Sequence, residues 1–181
     1  MKNVKALNVL FGLLLIGNSA ISQGLNNEVI RANMLVDWER AKVYTKEYLD
    51  AMPESGINFK PKADMRSFAE QMLHMSQSTM TVISIATGAE PLYQDKVLEK
   101  MKEYKNKAAL TKLVMESYDY AIQSIEKMDA SKMDSLIRRG NYETDQFGWL
   151  NKVFEHQTHH RAQTTIYLRL KGIKAPNEKL F

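Results

Sequence analysis

The chain of 181 residues is 44% hydrophobic and 25% charged, the composition of one globular domain with its own core rather than of a disordered or fibrous protein. Its 25 basic and 21 acidic side chains leave a formal charge of +4, and the basic residues are scattered rather than gathered into a stripe, which argues against nucleic-acid binding. Cysteine is absent, so disulfides, thiolate metal ligands and lipidation at an N-terminal cleavage site are excluded.

The first residues, MKNVKALNVLFGLLLIGNSAISQ, have the form of a secretory signal. Lys2 and Lys5 precede an apolar run from Leu7 to Ile16, and the small-residue site Ala20-Ile21-Ser22 follows. The run falls short of the ~20 residues that span a bilayer, so no stable membrane span remains after cleavage. The expected division is a signal peptide over 1–22 and one domain over 23–181, exported to a periplasm or beyond. Loss of Lys2 and Lys5 lowers the charge from +4 to +2.

Four stretches then carry helical periodicity. The first is predicted from Asn27 to Ala51, with Val29, Leu35, Val36, Trp38, Val43, Tyr44 and Leu49 as its apolar positions, stopped by Pro53, Ser55 and Gly56. The second opens on a capping-box pattern, Ser67 and Glu70, and runs to about Thr87, before Gly88 and Pro91. Residues 94–104 add at most a helical turn or two. The third spans Lys107 to Met128, with Leu110, Leu113, Val114, Tyr118, Ala121, Ile122 and Ile125 inward. The fourth starts near Thr144 or Asp145 and ends at Gly172, a residue suited to a left-handed C-cap. Strand-like alternation is nearly absent. The fold class expected is an all-α antiparallel four-helix bundle. Met65, Met72, Met75 and Met80 fall at core-like intervals and read as packing rather than as a metal site.

The fourth helix holds three of the chain's four histidines, in FEHQTHHRAQTTIYLRL. With His156 at zero on a helical wheel, Trp149 lies at ~20°, Val153 at ~60°, His160 at ~40° and Tyr167 at ~20°, while His159 falls at ~300°. The wheel therefore pairs His156 with His160 and leaves His159 at the rim. Two readings of the pair stay open: a shared cation, or two separately hydrogen-bonded histidines. The remaining imidazole, His74, lies at the margin of the second helix's apolar face. It stands about seven residues past the Ser67 cap and His156 about twelve past Thr144, comparable depths for helices entering from the same end. A zincin protease needs Glu between its two ligands, and H-Q-T-H-H carries Gln157 in that slot. A carboxylate-bridged di-metal bundle needs a Glu-x-x-His pattern on two helices, which is not present.

MRSFAEQMLHMSQS on the second helix, followed by HQTHHRAQTTIYLRLKGIKAP on the fourth, resembles the DinB-like (YfiT-like) family of metal-binding four-helix bundles. VDWERAKVYTKEYLDAMPESGINFKPKADMRSF resembles that family's first helix and loop, so the likeness covers the whole domain. It implies a divalent ion, nickel or zinc, on His74, His156 and His160. One departure is Ala162, where many relatives have glycine. The resemblance further implies a transferase or isomerase using a small thiol, or a hydrolase, acting on a small molecule, and often a homodimer. A three-histidine site with open positions can acidify water, polarise a substrate or bind a thiolate sulfur. Gln163 and Tyr167 lie near the same face of the fourth helix, as substrate-positioning or packing residues. Arg161 and Glu155 read as structural or surface charges. The alternative function is a non-catalytic metal-binding or stress-associated bundle, in which the ion fixes two helices or is the cargo.

N-terminal sequencing of exported protein should find a start near Gln23. Retention of Met1 or Lys2 would contradict the cleaved signal.

Overall fold

The computed structural model describes residues 26–181; the expected signal segment and its cleavage point lie outside them. Four long helices carry the architecture: α1, Asn27–Ala51; α2, Phe68–Thr87; α3, Lys107–Lys127; and α4, Gln146–Leu170. Among the described residues, no helix is long and apolar enough to cross a membrane.

Each helix starts where a side chain can accept its free N–H groups. Asn26 caps α1, Asn106 caps α3 and Asp145 caps α4. At α2 the capping box is complete, with Ser67 Oγ accepting from the Glu70 N–H and Glu70 Oε2 from the Ser67 N–H at 2.9 Å. Lys105 and Lys60 also bind the Glu70 carboxylate at 2.8 and 3.0 Å. Burial alone would raise its pKa, but the bonds from Lys105, the Ser67 N–H and Lys60 more than offset that and hold it at about 2. At the other end of α4, Gly172 takes φ +72°. The N–H groups of Ile173 and Gly172 then reach the carbonyls of Leu168 and Arg169, each at 2.9 Å.

The bundle is not antiparallel throughout. Gln71 meets Tyr167 near the start of α2, and Gln146 Nε2 donates to the Ala86 carbonyl near its end, so α2 and α4 run in opposite directions. Arg31 bonds the Met128 carbonyl and Lys107 the Asp50 carbonyl, which makes α1 and α3 antiparallel too. By contrast Trp38 stacks edge-on against Phe154, and Tyr48 bonds Thr165, so α1 and α4 are parallel. The C-terminal ends of α2 and α3 line one cleft together, and these two helices are also parallel. Residues 88–106 make this possible by retracing the ~30 Å of α2 as a loop with two single-turn helices, Leu98–Lys100 and Lys102–Tyr104.

One element was not foreseen. Strands β1, Leu136–Arg139, and β2, Tyr142–Asp145, form an antiparallel hairpin leading into α4. Its two-residue loop begins with Gly140 at φ +59°, the conformation a type II′ turn requires at that place. Four-residue strands with largely exposed side chains leave no alternation to read.

The core follows the expected faces of α2 and α3, including Met72, Met75 and Met80, whereas Met65 is exposed in the loop before α2. On α1, Trp38, Tyr44 and Leu49 are buried, but Val29, Val36 and Val43 point outward. They recur every seventh residue, about 200° from the Trp38 face. α4 departs most. Its buried seam is centred on Leu150, Gln157, Thr164 and Leu168 with Arg161 beside them, so the His156–His160 pair sits at the edge of the buried face rather than at its middle. Gln157 Oε1 accepts from Tyr118 Oη at 2.8 Å and Arg161 Nη1 at 3.0 Å, and Thr45 bonds Tyr118 at 2.6 Å.

Ser67→Ala removes the acceptor for the first turn of α2 and should lower unfolding stability by about 1 kcal/mol. Urea denaturation checks it, and an unchanged midpoint would mean that the capping box contributes nothing.

Candidate metal centre

His74 projects from the second turn of α2, and His156 and His160 from one turn of α4. The two helices run in opposite directions, and an early position on α2 meets the middle of α4. The equal depth from one end inferred from the sequence is therefore wrong, although the meeting it anticipated occurs. Ring centroids lie 4.6 Å apart for His74–His160, 5.4 Å for His74–His156 and 4.4 Å for His156–His160. One nitrogen from each ring falls within 4.8 Å of the others. Ligands on one small cation lie up to about 4 Å apart, so slight ring rotations suffice to close the set.

The ring nitrogens on the far side are tied down in two of the three cases. His74 Nδ1 donates to Glu99 Oε1 at 2.8 Å, and Glu99 is held by Arg66 Nε at 2.7 Å. His160 Nδ1 donates to Gln71 Oε1 at 2.8 Å. Gln71 Nε2 in turn donates to Tyr167 Oη at 3.3 Å, which donates to the Arg66 carbonyl at 2.8 Å. A carboxylate or carbonyl on Nδ1 fixes the tautomer with the proton there and frees the Nε2 lone pair of His74 and His160. His156 Nδ1 is buried with no hydrogen-bond partner among the described residues.

The electrostatics disfavour protons on His156 and His160. Burial, then the neighbouring His156 and His74, depress the pKa of His160 to about 3. Burial and His74 lower that of His156 as well. Burial would raise the pKa of Glu99, but Arg66 and then His74 bring it below the ordinary range, so it is a carboxylate. Three imidazoles within reach of one another, two oriented by second partners and one with an orphaned nitrogen, fit a divalent cation, and the group can hold one.

Of the three, His160 reaches a cleft of about 600 Å³, whose walls include Met65, Arg66, Gln71, Glu99, His159 and Gln163. His159 is exposed on its wall and takes no part in the triad; Gln163 Nε2 bonds its Nε2 at 3.0 Å. Tyr167 is buried and acts through Gln71, away from the cleft. Arg161, expected as a structural or surface charge, is 5% exposed and pairs with no carboxylate among the described residues. Glu155 is exposed and pairs with Lys152 at 3.3 Å. The sequence reading missed Glu99 and Gln71. Gln71 carries a usable signal, standing one turn before His74 on the same helix face. Glu99 carries none, because its approach depends on the path of residues 88–106.

The model of the DinB family matches residues 24–180. A solved DinB-like protein from Bacillus cereus superposes with a TM-score of 0.70 at 15% identity, covering 82% of this chain and 97% of its own. Another, from Bacillus subtilis, gives 0.63 at 16% identity, covering 82% and 96%. Likeness at this identity speaks for the fold. No match was found among curated proteins.

An unfolded imidazole titrates near 6.5, so below that pH the unfolded chain binds protons that folded His156 and His160 refuse. Stability of the chelated protein should fall as pH drops from about 6.5 toward the His160 value of about 3. Urea midpoints at about pH 7 and about pH 4.5 should differ less in His160→Asn than in the parent. An equal difference would show that His160 is not held neutral by the fold.

Proposed function

The chain belongs to the DinB family, and from that premise we propose that it is an exported, divalent-metal-dependent enzyme that hydrolyses a small molecule or transfers a thiol to it. The observation that carries this reading is the meeting of three imidazoles of which one, His160, lines an open cleft. An ion serving only to join two helices would be expected under a seal of Met and Leu side chains. Here the wall beside His160 is polar, with Arg66, Glu99, His159 and Gln163.

Nickel and zinc are among the ions that imidazole ligands suit. When bound, such an ion supplies a Lewis acid with open coordination positions. The protein's own part is orientation, charge and proton movement. Glu99 and Gln71 hold His74 and His160 with their lone pairs toward the shared volume. Arg66 brings a guanidinium to the cleft for an anionic substrate group, while its bond to Glu99 keeps it in place. His159, beside Gln163 and outside the ligand set, offers an imidazole to take or give a proton at the substrate. Asp64 and Met65, in the loop before α2, complete the rim.

Metal content of untagged protein, followed by a screen of esters and of electrophiles with thiols, tests the proposal. His74→Ala, His156→Ala and His160→Ala should each sharply reduce the zinc or nickel bound, since each removes one of three protein ligands. His159→Ala should keep the metal and lose turnover. Full metal affinity in His74→Ala would remove α2 from the site, and a metal-loaded parent inert to every class of substrate would favour the non-catalytic bundle.

A further inference from the structure

Arg161 poses a separate question. Its side chain is inside the protein, on the face of α4 turned away from the cleft, and no Asp or Glu of the described residues lies within salt-bridge distance of it. Nη1 donates to Gln157 Oε1 at 3.0 Å, and the Tyr118 hydroxyl lies beside the guanidinium. Its central carbon sits 4.5 Å from the centroid of the Tyr44 ring. One amide carbonyl, one hydroxyl and one ring face, all uncharged, offset only part of the cost of desolvating a guanidinium, and buried charges are as a rule matched by a counter-charge.

The surroundings offer a place for one. Arg161 lines a recessed pocket of about 200 Å³ between α1, α4 and the C-terminal segment, together with Arg40, Lys179, Tyr44, Tyr48 and Phe154. Arg40 Nη1 donates to the Lys179 carbonyl at 2.7 Å, and Lys179 Nζ pairs with Glu47 at 3.1 Å, so the C-terminal segment is fastened over α1 as the outer wall. Three cationic residues border the pocket with one acid, Glu178; Arg40 pairs with Asp37 at 2.7 Å and Lys179 with Glu47, which leaves Arg161 as the cation without an acid partner among the described residues. Tyr44, Tyr48 and Phe154 supply aromatic walls, and Thr158, Ala162 and Leu180 complete the lining. Inorganic phosphate is poorly matched to such a mixture, whereas a carboxylate with a small apolar body would set its charge on the guanidinium and its body against the rings.

We infer that the pocket beneath the C-terminal segment is a binding site for a small organic carboxylate, with Arg161 as its buried anchor. It is distinct from the three-histidine cleft, because α4 presents His160 and Arg161 to different neighbours, α2 for the one and the aromatic face of α1 for the other.

Benzoate is a suitable probe, used on the full processed chain both with zinc and with chelator, so that binding at the histidines is separated. It should raise the thermal midpoint saturably in both conditions, beyond sodium chloride at equal ionic strength. It should also shift the Arg161 Nε–H resonance. Arg161→Met should weaken the response about tenfold or more, the loss expected for a charged hydrogen bond. Should that variant fail to fold, Glu178→Gln decides: with the competing carboxylate gone, benzoate should bind more tightly and the fold should be no less stable. Destabilisation by Glu178→Gln together with no benzoate response in the parent would identify Glu178 as the internal counter-charge and overturn the inference. An equal response to phosphate would overturn the carboxylate assignment.

Discussion

Three imidazoles share one small volume at the seam of α2 and α4, and much of the local structure is explained by what that requires. Protonated, they would repel one another in a partly desolvated space, and burial and mutual proximity hold His156 and His160 neutral. Neutral and unoriented, they would cost stability without return. The fold orients them instead from two directions. Glu99 comes from the crossover between α2 and α3, and Gln71 from α2 itself, with Arg66 and Tyr167 behind them. The crossover is itself pinned to α2, since Gln77 accepts from the Leu98 N–H at 3.0 Å. The placement of Glu99 thus follows from the same connection that makes α2 and α3 parallel.

α4 serves two neighbours with different chemistry. One edge gives His156 and His160 to α2, while the buried seam gives Gln157 to α3 and Arg161 to α1. A helix whose interior is so polar holds its position through directed bonds, of which Gln157 makes the most: it joins Tyr118, Arg161 and Thr158. Such a network is stable only when its members are satisfied. The zincin comparison drawn from the sequence is resolved by this geometry as well, because the residue between the histidines faces the core and not the ion site.

Helix limits were legible because their signals are local. Asn27–Ala51, the Ser67–Glu70 box and the glycine stops at 88 and 172 can be read from a few consecutive residues. The histidine grouping was legible too, since a one-turn spacing puts two rings side by side wherever the helix lies. Direction and depth were not. They depend on how residues 88–106 cross the bundle, and no periodicity encodes that path. The outward Val29, Val36 and Val43 misled, and the inward Gln157 was not anticipated, because hydropathy identifies a buried face only where burial is apolar. The β1–β2 hairpin was too short and too exposed to leave a pattern, and Glu99 meets His74 only through tertiary structure.

Crystals of untagged, processed protein grown with zinc, measured at the zinc absorption edge, test the metal centre most directly. One anomalous peak about 2.0–2.1 Å from a nitrogen of each of His74, His156 and His160 is the predicted result. A peak bound through His159, one that leaves His74 without contact, or no peak at all would contradict it.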